Sequence, residues 1–110
     1  MAANIEAPDH IAVGTSEGDV VPELTAGQTK RVFLIITNIG IAAATLDLHR
    51  YDAGGAESLN ANNAIYKSRP VEPNSLELLE ISFTLTAGWK VTALASAASS
   101  IVIHTDTIDL

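Results

Sequence analysis

Three histidines, His10, His49 and His104, are the natural candidates for proton transfer or metal ligation in this chain. A locally built zinc site needs ligands at short fixed spacings, as in H-x-H or H-E-x-x-H, and none of the three stands in such a pattern. His49 and His104 fall at strand positions whose neighbours point inward, so both are expected on a solvent-facing sheet surface. Carboxylates are plentiful, Glu17, Asp19, Glu72, Glu77, Glu80, Asp106 and Asp109 among them. Two carboxylates held roughly 5–10 Å apart beside a cleft would suit glycoside hydrolysis. A small sandwich leaves little room for a deep cleft, so solvated charge is the expectation. Asp47, Asp52 and the glycine-rich loop after them do not follow EF-hand spacing. Ser58 and Ser96 lack the Gly-x-Ser-x-Gly context of an activated serine. Neither Gly-x-Gly-x-x-Gly nor a Walker sequence occurs, so no nucleotide cradle is indicated. The absence of cysteine removes disulfides, thiolate metal sites and cysteine nucleophiles together. No catalytic residue, metal or cofactor is assigned, and a non-enzymatic role is expected.

Aromatic platforms are scarce as well. The rings are Phe33, Tyr51, Tyr66, Phe83 and Trp89, whereas sugar-binding sandwiches and single-strand readers depend on several exposed rings. Phe33 and Phe83 are expected in the core. Trp89, directly after Gly88, is expected at the core's rim, where it could meet a partner.

Charge points the same way. Six basic residues against thirteen acidic ones give a formal charge of −7 over 110 residues. Phosphate binding needs Lys and Arg gathered on one face, and the local basic clusters are only Lys30-Arg31 and Lys67-Ser68-Arg69. Nucleic acid is not an expected partner. The longest apolar run, Val32 to Ile36, is far short of the ~20 residues of a membrane span. The first ten residues lack the basic and apolar regions of a signal peptide, so a soluble protein made in the cytoplasm is expected. Charged residues are 17% of the chain and apolar ones 47%. An average domain carries about 25% charged residues, so part of the surface is expected to be covered in an oligomer.

The elements that must position these residues read as strands. Apolar and polar residues alternate, or run apolar for about five positions, between Gly, Pro, Asn and Asp punctuation. Residues 1–10 read as an extended arm, with Pro8 against a helix, and residues 11–110 as a single β-sandwich domain. Short strands are expected at 11–13 and at 19–24, the latter an edge because of Pro22. In the strand at 28–38, Val32, Leu34 and Ile36 face one way and Phe33 and Ile35 the other. Apolar residues on both sides mark a central strand, or one covered by a subunit. At 44–51, Leu46 and Leu48 point inward with Thr45, Asp47 and His49 outward. Further strands are expected at 64–67, 75–86, 89–97 and 100–110, with turns at Asn38-Ile39-Gly40, Pro70 and Pro73-Asn74. Ile35 and Phe83 are expected to be costly to truncate or charge. Leu24-Thr25-Ala26-Gly27 recurs as Leu85-Thr86-Ala87-Gly88, which reads as shared turn chemistry with glycine at positive φ. Seven to eight strands at about ten-residue spacing give an all-β, antiparallel sandwich, jelly-roll or Ig-like.

The layout has a further implication. Thr37-Asn38-Ile39-Gly40 closes a strand and Gly54-Gly55 follows the next. Then come Val71-Glu72-Pro73-Asn74, Leu76-Glu77-Leu78, Leu85-Thr86-Ala87-Gly88-Trp89-Lys90-Val91 and the stretch Ala95-Ser96-Ala97. This resembles the short β-sandwich virion proteins of tailed bacteriophages, over residues 28–110. The resemblance implies a capsid decoration, or cement, protein that binds the major capsid protein or another virion protein as a homotrimer on the capsid surface. Members of that class commonly reach a neighbour with an N-terminal arm, which here would be residues 1–10. Ile5, Pro8, Ile11 and Trp89 are the partner-contact candidates. A neck, tail or fibre component, or a sugar- or receptor-binding module, is the alternative.

Overall fold

A computed structural model describes residues 4–5 and 9–110. Its regular structure is almost entirely strand: β1 (Asn4–Ile5), β2 (Asp9–Ala12), β3 (Gly18–Val21), β4 (Thr29–Asn38), β5 (Ala44–Asp52), β6 (Ala64–Val71), β7 (Leu78–Thr86), β8 (Trp89–Ala95) and β9 (Ile101–Asp109). Two short 3-10 turns, Ala53–Gly55 and Ala61–Asn63, interrupt the connection from β5 to β6.

The strands form two antiparallel sheets. Sheet A runs β1/β2-β9-β4-β7, with β1 and β2 as two pieces of one edge strand along β9; sheet B runs β3-β8-β5-β6. The pairings nest: β2 with β9, β3 with β8, β4 with β7 and β5 with β6. Rolling this nested ribbon brings β9 beside β4 and β8 beside β5. That connectivity is a jelly roll, which decides between the two alternatives that strand spacing left open.

Period-two alternation explains the layering. Val32, Leu34 and Ile36 of β4 are fully buried, as are Leu46 and Leu48 of β5, Val91 of β8 and Ile101 and Ile103 of β9. Small residues at Ala44, Ala93 and Ala95 on sheet B let the larger side chains of sheet A interdigitate. Burial of these apolar faces is the main stabilising term, at about 25 cal/mol per Å². Lys30 also turns inward at the end of β4, where its ammonium lies 3.3 Å from the Asp109 carboxylate.

Several expectations need correction. Phe33 is not core: it stands on the outer face of β4, 39% exposed, and Ile35 beside it is half-buried. Pro70 does not end a strand; it lies within β6, opposite Thr45. β6 is an edge, so the missing N–H faces no neighbour. His49 does point outward from sheet B but is buried, because the segment before β3 folds over it. The sheet also starts ahead of position 11, since Asp9 and His10 pair with Thr105 and His104.

The repeated turns share their chemistry. Gly27 and Gly88 take φ of 83° and 90°, and the two turns touch through Gly88 N–H donating to the Leu24 carbonyl.

Candidate functional site

Three places bring together side chains able to act. The first is the His10–His104 pair on the outer face of sheet A, whose ring centroids are 5.6 Å apart. The two residues are direct cross-strand neighbours and both are exposed. Among the described residues, no group of three or more His, Asp or Glu is placed to hold a metal ion.

The second is a partly buried acid–imidazole contact outside sheet B. One oxygen of Glu17, Oε1, sits 2.9 Å from His49 Nδ1 and accepts the Thr92 hydroxyl at 2.6 Å. A nucleophilic triad needs the hydroxyl to give its proton to the imidazole. Here the carboxylate stands between the two, and Thr92 is 3% exposed. The arrangement therefore clamps the segment before β3 onto the sheet. Beside it, Asp47 accepts from the Ser68 N–H and from the Lys67 ammonium at 3.0 Å. Burial alone would raise the Asp47 pKa, but the Ser68 hydrogen bond, the Lys67 contact and the His49 field together hold it below the ordinary carboxylate value.

The third place is one end of the sandwich, and it is built around Asn38. The Asn38 side chain is fully buried. Its Nδ2 donates to the Ala42 and Val71 carbonyls, each at 3.0 Å, and its Oδ1 accepts the Gly40 N–H at 2.9 Å. Its own carbonyl accepts the Ser75 N–H, while the Gly40 carbonyl accepts the Asn74 N–H, both at 2.8 Å. The β4–β5 loop and the β6–β7 loop are thereby locked together. Held on these loops are Ile39, Ile41 and Leu76, which are 57%, 92% and 77% exposed, with Leu78 adjoining at 55%. Large aliphatic residues held this far into solvent form an apolar end surface, a common mark of a contact site.

The partner-contact candidates that the structure describes lie away from this end. Ile11 turns inward and packs against the core opposite Ile103. Trp89 also packs against the core, at the β7–β8 end, with the Arg50 guanidinium 5.9 Å from its ring and 5.0 Å from that of Phe83. The backbone of Ile5 pairs with Ile108, and Pro8 lies outside the described residues. The sequence reading therefore missed the apolar end, although isoleucines on both sides of Gly40 in a turn were the available signal.

No family model, no curated protein and no solved structure matches this chain.

Proposed function

We propose that this chain is a non-catalytic virion structural protein, a capsid decoration protein that docks on the outer shell by the end of its jelly roll. The observation that carries the reading is the apolar surface of Ile39, Ile41 and Leu76, held rigidly by the buried Asn38. Docking a rigid surface costs little ordering entropy, and many copies on a symmetric lattice make weak single contacts sufficient. The net charge of −7 suits a surface turned away from packaged DNA and keeps particles apart.

Imaging of purified virions that carry the chain tests the proposal. Density at many capsomer junctions is the expected result. A single ring at the neck or tail would replace decoration with the connector role, and absence from the particle would overturn both.

A further inference from the structure

Of the sheet edges, β7 alone is long, regular and open among the described residues. It pairs with β4 over nine residues without a register shift, and no other strand pairs with it. The remaining edges are blunted. β1 and β2 are short pieces, β3 has four residues and a register shift, and β6 carries Ser68 at φ 50° and Pro70. Natural sheets guard long edges with proline, lysine or bulges. The β7 sequence, Leu78 to Thr86, has none of these.

The β7 sequence also selects its partner. Placed antiparallel to a second copy of itself about a two-fold axis at Ser82, it matches along its whole length. Leu79 then opposes Leu85 and Ile81 opposes Phe83 on the inner face, while Glu80 opposes Thr84 on the outer face. Directly opposed residues share a face, so the two cores meet in one continuous layer and no like charges stand opposite. A shift by one residue would turn each core toward the other's solvent side. A shift of the axis to Ile81 or Phe83 leaves an end of the strand unpaired.

Charge supports the same register. Arg31 reaches across the outer face from β4, donating to the Thr84 hydroxyl at 3.3 Å and the Ser82 hydroxyl at 3.1 Å. Its guanidinium therefore lies over β7, beside the place that Glu80 of the second copy would take. Ion pairs among the described residues use neither Arg31 nor Glu80. The two-fold axis makes this contact twice.

We infer that the chain forms a two-fold dimer by edge-to-edge pairing of β7, fixed in register by reciprocal Arg31–Glu80 ion pairs. This inference is separable from shell docking, which rests on Ile39, Ile41 and Leu76 outside β7, so each can fail without the other.

Sedimentation and native mass measurement of the full chain test it. The expected mass at tens of micromolar is twice 11.5 kDa. Glu80→Arg and Arg31→Glu should each weaken the dimer roughly tenfold or more, with circular dichroism showing that the variants remain folded. The double variant, Glu80→Arg with Arg31→Glu, should recover most of the loss because the charges are exchanged. A monomer or a three-chain mass for the wild type would overturn the dimer. A double variant as weak as the singles would overturn the register.

Discussion

The Asn38 amide donates 3.0 Å to the Val71 carbonyl, joining the last residue of β4 in sheet A to the last residue of β6 in sheet B. This is a polar tie across the two layers at the point where the loops leave them. Asn38 is completely buried and so is the Val71 carbonyl, which would otherwise lose its hydrogen bond without access to water.

Replacing Asn38 with Ala should therefore cost about 1–3 kcal/mol, chiefly because it leaves the buried Val71 carbonyl unpaired. Asn38→Asp should cost at least as much, because a carboxylate would face the Val71 and Ala42 carbonyls without a donor. Urea unfolding measures both. A loss below about 0.5 kcal/mol for Asn38→Ala would mean that the tie is dispensable.

The turns offer a second test, one that separates backbone strain from crowding. Gly27 has open space around its missing side chain, so Gly27→Ala should cost only the left-handed penalty of about 1 kcal/mol. At Gly88 an added Cβ would also sit 3.0 Å from Asp52 Oδ1 and 3.4 Å from the Gly54 Cα. Gly88→Ala should be the more destabilising of the pair. In the other direction, Ser75 holds φ at 57° in the tight turn after Pro73, so Ser75→Gly should stabilise by roughly 0.5–1 kcal/mol. Melting temperatures rank all three, and equal losses at Gly27 and Gly88 would refute the crowding argument.

These two cases show why some of the molecule was readable from residues and some was not. The β4 pattern, with Val32, Leu34 and Ile36 against Phe33 and Ile35, is local, so period-two alternation gave the correct faces. It does not say what lies beyond a face, and Phe33 reads as core though it is exposed, because an apolar residue on a central strand reads as core either way. The Leu-Thr-Ala-Gly turns were legible because glycine at positive φ is a property of one residue. Asn38 reads in the sequence only as a turn former, since its partners Ala42 and Val71 are set by the roll of the sheets. Arg31 and Glu80 read in the sequence only as solvated charges, because the relation between them depends on the register of β4 with β7.

The faces of the core predict a graded series. Leu48 is fully buried, so Leu48→Ala should cost about 2–5 kcal/mol through lost burial and the cavity left behind. Ile35 is half-buried on the outer face, so Ile35→Ala should cost clearly less. Chemical denaturation of the two variants checks the order. If Ile35→Ala proved the worse, the face assignment of β4 would fail.

Acid should weaken the sandwich in part through Asp47. Burial opposes its ionisation, but the Ser68 N–H and the Lys67 ammonium more than offset that, so its pKa is lower in the folded than in the unfolded chain. A depressed carboxylate contributes stability that is present above its unfolded pKa, near 4, and is lost as pH falls through the folded value. Asp47→Asn should therefore be less stable than wild type at pH 7, and the gap should narrow below about pH 4. Thermal melts at the two pH values measure it. A gap that stays constant with pH would remove the Asp47 contribution.

The apolar end makes the last prediction, because there folding and docking separate. Ile41 and Leu76 are 92% and 77% exposed, so neither contributes much to the core. Ile41→Asp and Leu76→Asp should each change folding stability by no more than about 0.5 kcal/mol. An added carboxylate on a surface that must be desolvated against a partner is a different matter, since an unpaired charge at an interface is strongly unfavourable. Binding of the Ile41→Asp/Leu76→Asp variant to undecorated capsids, followed by co-sedimentation, should fall by an order of magnitude or more. Its melting temperature should stay close to that of the wild type. Retained binding would detach the docking role from this end of the sandwich and leave Ile39, Ile41 and Leu76 as exposed residues without a partner on the shell.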